Sequence, residues 1–308
     1  MAKGRVIKST GSRFTVKTPE GALVSCSIRG KFRIKGIRAT NPVAVGDKVI
    51  FEAGAEEGQG IISSIEERRN YIIRRSSNLS KEYQLLACNV DTAWLMISMV
   101  MPRTFPAFVD RFLVSTEAYR IPVVLLFNKI DLYGPQDEAE MEEWINMYTA
   151  IGYQCMKLSL QNRSGLEEVR ARMKGGINVI SGNSGVGKST LVNVLDPSFR
   201  LKTKEVSDSH QTGRHTTTFA EMHELAGEIR IIDTPGIRGF GTIDIQREEL
   251  SHFFPEIFRK ASDCKYNNCL HLTEPDCAVK DAVRNGSISE SRYFNYLVMM
   301  EEEDGKYR

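Results

Sequence analysis

Two short strings in this 308-residue chain hold residues able to do chemistry. Residues 182–189 read GNSGVGKS, the spacing Gly182-x4-Gly187-Lys188-Ser189, between an apolar run (INVISG) and an amphipathic one (KSTLVNVL). A glycine-rich turn leaving a strand and opening a helix points backbone N–H groups at phosphate oxygens, and the helix dipole favours the same charge. Gly182, Asn183, Ser184, Gly185, Val186, Gly187, Lys188, Ser189 and Thr190 are therefore predicted to wrap a nucleotide's phosphates. Lys188 would reach the β- and γ-phosphates, and the Ser189 hydroxyl would ligate Mg²⁺. Residues 230–236, RIIDTPG, supply a partner. Asp233 at the end of an apolar strand would complete the Mg²⁺ shell, and the Gly236 N–H would face the γ-phosphate.

The second string, NKID at 128–131, closes the apolar run PVVLLF. Asp131 is placed to accept two hydrogen bonds from guanine's ring N–H and exocyclic amine, a donor pair that adenine lacks. A buried carboxylate left unpaired by the wrong base rejects it by roughly 10⁴–10⁵, which disfavours an ATPase. Asn128 would brace the phosphate loop and the Lys129 stem would cover the base. A further base contact is expected from the Ser159-Leu160 backbone, where Leu160 is bulkier than the position usually holds.

The order of these motifs is unusual, since the base reader precedes the phosphate loop by 54 residues. Both stand at C-terminal ends of apolar strands, so a sheet whose chain begins elsewhere would reunite them. The succession 128, 159, 182, 216, 233 is the ordinary order rotated cyclically, and a circularly permuted fold is expected. Between phosphate loop and Asp233 lies HQTGRHTTTF, where Thr217 is predicted to close over Mg²⁺ and γ-phosphate. Ile237 follows Gly236, and an aliphatic side chain cannot orient water: either intrinsic turnover is slow or another group helps, and His215 is the nearest candidate.

The elements that must position these residues can be read around them. Segments at 4–65 alternate in period two with turns every ten or so residues, a pattern that suggests a five-stranded barrel of OB type and that an SH3-like barrel would share. Residues 1–50 carry 11 Lys+Arg against Glu20 and Asp47, a local charge of +9 hidden in a whole-chain net of +2. Such a charge on a small barrel suits an RNA backbone. Residues 66–92 are charged and read as a linker. From 93, strand and helix patterns alternate, which implies a parallel sheet with helices on both faces. Near the C-terminal end, Cys264-x4-Cys269-x-His271-x5-Cys277 offers three sulfurs and an imidazole, a set suited to one structural, tetrahedral Zn²⁺. Cys26, Cys88 and Cys155 stand alone and are expected in cores. The N-terminus shows no secretory pattern and the longest apolar runs are too short for a membrane span, so a cytoplasmic, membrane-free protein is expected.

Taken together, RRNYIIRRSS, NVDTAWLMIS, FNKIDL, SGNSGVGKSTLVN, GRHTTT, DTPGIRGFG and CKYNNCLHLTEPDCAV make the chain resemble, nearly end to end, the ribosome small subunit-dependent GTPase A family (RsgA or YjeQ type). The resemblance implies a multidomain protein. An N-terminal OB-fold would bind RNA (1–70), a central α/β GTPase would carry the permuted motif order (71–240), and a mainly helical domain would bind zinc (241–308). It implies GTP hydrolysis with Mg²⁺, action in late maturation of the small ribosomal subunit with contact to its rRNA, a monomeric state, and a role for His215. The alternative is a GTP-gated RNA-binding protein whose hydrolysis is incidental. Because the segment after Asp233 leads straight into the last domain, that domain is expected to move with the nucleotide state.

Overall fold

The computed structural model describes residues 1–28, 42–54, 58–75, 83–199, 220–233 and 245–301. Five strands, β1 (Ala2–Ser9), β2 (Phe14–Lys17), β3 (Leu23–Ile28), β4 (Lys48–Ala53) and β5 (Gln59–Ile65), run in the spatial order β1-β2-β3-β5-β4, and β4 returns to β1. This is the closed five-stranded barrel that the period-two pattern requires. Val6, Phe14, Val16, Cys26, Val49, Phe51 and Ile62 fill it, and Phe14 is therefore a core residue. Gly4 sits where β1 and β2 nearly touch, since a Cβ there would stand 2.8 Å from the Lys17 carbonyl oxygen. Asp47, fully buried, is held by a forked Arg68: Nε to Oδ1 and Nη2 to Oδ2, both 2.7 Å.

Residues 66–92 are not a linker. Strands β6 (Tyr71–Arg75) and β7 (Tyr83–Cys88) form an antiparallel pair. Ile72, Ile73, Leu85, Leu86, Ala87 and Cys88 join the largest hydrophobic cluster of the chain. The arginines and serines around these aliphatic residues mask a strand signal that burial makes plain.

The α/β unit follows. It comprises β8 (Thr92–Ile97), α1 (Pro106–Ala118), β9 (Val123–Asn128), α2 (Pro135–Ile151), β10 (Gln154–Leu158), α3 (Leu166–Met173), β11 (Ile177–Gly182), α4 (Lys188–Leu195), β12 (Glu221–Leu225) and β13 (Ile229–Asp233). The order β10-β9-β8-β11-β13-β12 is parallel through β13, and β12 adds antiparallel. Side chains alternate across this sheet as its pleat demands. Leu95, Ile97, Leu125 and Phe127 face α1 and α2. Trp94, Met96, Val124 and Leu126 face α3 and α4.

β12 was not visible in the sequence, yet it joins barrel to sheet. Its outer edge meets β1 at Lys8 and Glu221, and the ion pairs Lys8–Glu221 (2.9 Å) and Lys17–Glu224 reinforce the seam. Part of the basic head is thus used within the molecule. Of its 11 cations, Lys3, Lys8 and Lys17 pair with glutamates, whereas Arg29, Lys31, Arg33, Lys35 and Arg38 lie outside the described residues.

A 3-10 helix (Arg247–Phe253) leads to α5 (Pro255–Ala261), α6 (Ala278–Arg284) and α7 (Glu290–Glu301). These helices are locked onto α1. Arg292, with no exposed surface, donates Nη1 to Asp110 Oδ1 (2.7 Å) and Nε to Glu256 Oε1 (2.7 Å), with its guanidinium 4.6 Å from the Phe254 ring centroid. Asn295 Nδ2 and the Tyr148 hydroxyl complete the Asp110 carboxylate at 2.6 and 2.8 Å. Burial pushes the Asp110 carboxyl above its ordinary value, against the pull of Arg292. Removing one partner of such a buried pair costs about 3–5 kcal/mol, because it strands the other charge. A swing of the C-terminal helices with nucleotide state must therefore carry α1 along or break this network.

Candidate nucleotide site and metal centre

The phosphate loop has the backbone its glycines were expected to supply. Gly182, Gly185 and Gly187 take φ of 141°, 80° and 113°. A Cβ on Gly182 would stand 2.6 Å from the Met96 carbonyl oxygen, and one on Gly187 would stand 2.5 Å from the Asn128 side-chain nitrogen. Substitution is thus blocked by neighbours as well as by conformation. Helix α4 opens at Gly187 with no side-chain cap and no acidic residue in its first turn, so its amino end turns backbone donors and positive dipole toward an anion. Lys188 Nζ donates to the carbonyls of Gly182 and Asn183, both at 2.7 Å. The ammonium lies across the loop, where a phosphate would exchange these weak acceptors for charged ones. Ser184, Gly185 and Thr190 are exposed, and Ser189 is half-buried.

The two strings separated in sequence meet here. Asn128, 2% exposed, donates Nδ2 to the Val186 carbonyl at 2.8 Å, so the base-reading loop braces the phosphate loop directly. Its Oδ1 is buried and unpartnered among the described protein atoms; a buried acceptor of this kind needs water or a ligand to complete it. Lys129 adopts φ 66° and donates Nζ to the Met101 carbonyl at 2.6 Å. Burial lowers its pKa, with the charge of Asp131 opposing. Asp131 is exposed, and its Oδ1 accepts from the Ser159 hydroxyl. Ser159, itself fully buried, also takes the Asn162 N–H on its Oγ at 3.2 Å. The serine therefore aims the carboxylate. The Leu160 side chain turns inward, its Cδ1 3.3 Å from where a Gly187 Cβ would stand, and packs against the core beneath α4.

Asp233 ends β13 beside β11, and its side chain lies outside the described atoms. His215, Thr217 and Gly236 lie outside the described residues. Of the expected magnesium ligands only Ser189 can be placed, on the first turn of α4. Cavities of about 830 and 750 Å³ lie against the C-terminal helices, away from this loop.

Reasoning from sequence missed Tyr133 and the loop after β8. The Tyr133 hydroxyl donates to the Asn128 carbonyl (2.8 Å) and accepts the Met99 N–H (3.0 Å). A tyrosine five residues from the base reader was the available signal, but only the fold shows which groups it joins.

The second centre is a Cys/His cluster. The ligand atoms of Cys264, Cys269, His271 and Cys277 all lie within 4.8 Å of one another. Cys264 Sγ is 3.9 Å from Cys277 Sγ, and His271 Nδ1 is 3.6 and 3.4 Å from those two sulfurs. A tetrahedral ion with metal–sulfur bonds of about 2.3 Å and metal–nitrogen bonds of about 2.0–2.1 Å needs sulfur–sulfur edges of about 3.8 Å and sulfur–nitrogen edges of about 3.5 Å. Cys264, His271 and Cys277 fit a metal ion on spacing, and the set of four donors fits one on chemistry. Glu274 holds the turn by accepting the N–H groups of Leu270 (2.7 Å) and Leu272 (2.8 Å), and Tyr296 donates to the Leu270 carbonyl. Among the isolated thiols, burial pushes Cys26 and Cys155 up to about 11, so neither is a ready nucleophile.

Comparison with known proteins places this geometry. Residues 65–243 match the RsgA GTPase family and residues 3–62 the RsgA N-terminal domain. The small ribosomal subunit biogenesis GTPase RsgA of Bacteroides fragilis is 53% identical over 307 residues, covering 99% of each chain. The protein of the same name from Phocaeicola vulgatus is 54% identical, with the same coverage. Among solved structures, YjeQ from Thermotoga maritima superposes with a TM-score of 0.81 at 33% identity, over 99% of both chains. YloQ, described as a circularly permuted GTPase, gives 0.75 at 33% identity over 97% of this chain and 94% of its own.

Proposed function

The chain belongs to the RsgA GTPase family, and on that premise we propose that it hydrolyses GTP in the service of small ribosomal subunit biogenesis. The carrying observation is the Asn128 Nδ2 bond to the Val186 carbonyl, which makes one site of two motifs that stand in reversed order. In this reading Lys188 leaves the Gly182 and Asn183 carbonyls for the β- and γ-phosphates, and the α4 amino end receives the charge. Asp131, aimed by Ser159, reads the guanine edge, Lys129 covers its face, and the Ser159–Leu160 backbone supplies the remaining base contact. Ser189, Thr217 and Asp233 would hold Mg²⁺, which would supply neutralisation of the charge that develops on the phosphates. His215 takes the water-orienting role that Ile237 cannot fill.

The division of labour proposed for the chain follows the same lines. Residues 1–70 form the rRNA-binding barrel, 71–240 the GTPase and 241–308 a domain built on one structural zinc ion bound by Cys264, Cys269, His271 and Cys277. The donor spacing supports zinc, since no ligand position is left for catalysis. The proposed partner is the small subunit with its rRNA, met by a monomer in the cytoplasm. Among the described residues no helix is long and apolar enough to cross a membrane.

Displacement of fluorescent GDP tests the site. GTP and GDP should compete, and ATP should fail by on the order of 10⁴ in affinity. Equal displacement by ATP would remove Asp131 as the base reader and with it the GTPase reading of this site.

A further inference from the structure

The parallel ladder between β8 and β9 stops at Ile97 and Phe127. Beyond it, the Tyr133 hydroxyl takes the place of the next rung, accepting from Met99 N at 3.0 Å and donating to Asn128 O at 2.8 Å. Two parts of the nucleotide site hang on this rung. One is Asn128, whose side chain braces Val186 of the phosphate loop. The other is the loop after β8. That loop is closed on itself by Ser98 N to Thr104 Oγ1 (3.1 Å) and Thr104 N to Ser98 O (2.8 Å), and Arg103 fastens it to the Met99 carbonyl (3.1 Å) and to Glu140. Its Met101 carbonyl accepts from Lys129 Nζ at 2.6 Å, and the Pro102 ring lies 3.7 Å from where a Gly185 Cβ would be. The 98–104 loop is therefore a wall of the site, bonded to the base-covering lysine and lying beside the phosphate loop at Gly185.

We infer that Tyr133 is a positioning residue for guanine nucleotide, acting through Asn128 and through the loop that holds Lys129, an inference that rests on the GTP-site reading above. The rung fixes both groups before ligand arrives, and preorganisation of this kind is felt as affinity. Without the hydroxyl, Met99 N–H and Asn128 C=O lose their shared partner and the two strand ends separate. Nucleotide binding must then order what the rung had ordered already. The phenol touches none of the predicted phosphate contacts, so the chemical step is spared.

Tyr133→Phe keeps the ring against the core and deletes only the hydroxyl, with its bonds to Met99, Asn128 and the Ser98 side chain. Its Kd for fluorescent GDP and its KM for GTP should rise about tenfold, with kcat within twofold of the parent protein. A Kd within twofold of the parent overturns the inference, including the case in which only the melting temperature of the nucleotide-free protein falls. A parallel loss of kcat with unchanged KM overturns it too. Failure of the parent protein to bind GDP in the same titration would instead strike the reading on which the inference rests.

Discussion

Asp131→Asn should exchange guanine for xanthine nucleotides. A carboxylate at this position accepts from guanine's ring N–H and exocyclic amine. The amide keeps one acceptor but turns an N–H₂ toward the amine, donor against donor. Xanthine carries a carbonyl where guanine carries that amine, so the amide's donor and acceptor both find partners. Breaking a charge-assisted pair at a desolvated site costs about 3–4 kcal/mol, or roughly 10²–10³ in affinity for GDP, and XDP should become the preferred ligand. Ser159 can continue to donate to the amide oxygen as it does to Asp131 Oδ1, so the substitution should leave the fold intact. Competition of GDP and XDP for one fluorescent nucleotide measures the exchange. Unchanged preference for GDP would mean that Asp131 does not read the base.

Removal of the metal from the Cys264–Cys277 centre should unfold the C-terminal helices while leaving the sheet in place. The domain's own core is small. Leu250, Phe254, Ile257, Val279, Ile288 and Tyr296 are its main buried apolar residues, and the intervening 262–277 contains no helix or strand. A structural zinc ion contributes about 10–16 kcal/mol of apparent binding energy at pH 7, more than such a core can replace. Chelation, or Cys277→Ser, should reduce helical circular dichroism. It should also expose Trp144, which borders the groove shared with Glu256 and Arg259. The Arg292 network couples the domain to α1, so partial loss of order there should follow. Retention of full helicity after verified metal removal would contradict a structural role.

How much of this was legible in the sequence depends on the range of the interaction. The strand-loop-helix at 177–195 and the strand ending in Asn128 are local patterns, and their reunion followed from the rotated order of the motifs. The proposed zinc ligands lie within 14 positions, so their spacing could be read directly. Long-range pairing could not. Arg292 and Asp110 look like solvent-facing charges on amphipathic helices, but they are buried together across 182 residues. Lys8 and Lys17 counted toward a basic surface until Glu221 and Glu224, more than 200 residues away, proved to neutralise them. The β6–β7 hairpin was hidden because its aliphatic residues stand among arginines and serines, and β12 because EMHEL is short and half polar. Tyr133 offered only its closeness to the base reader, since its role is the hydroxyl's position between two strand ends.

The permuted site should turn over GTP in response to the small ribosomal subunit. GTP hydrolysis by the full chain, alone and with isolated small or large subunits, tests it most directly, with Lys188→Ala as the blank. Small subunits should raise turnover by about tenfold or more, as a group completing an incomplete catalytic site does, and large subunits should leave it unchanged. Identical rates under all three conditions, with nucleotide binding intact, would contradict the account and leave a GTP-gated binding protein whose hydrolysis is incidental.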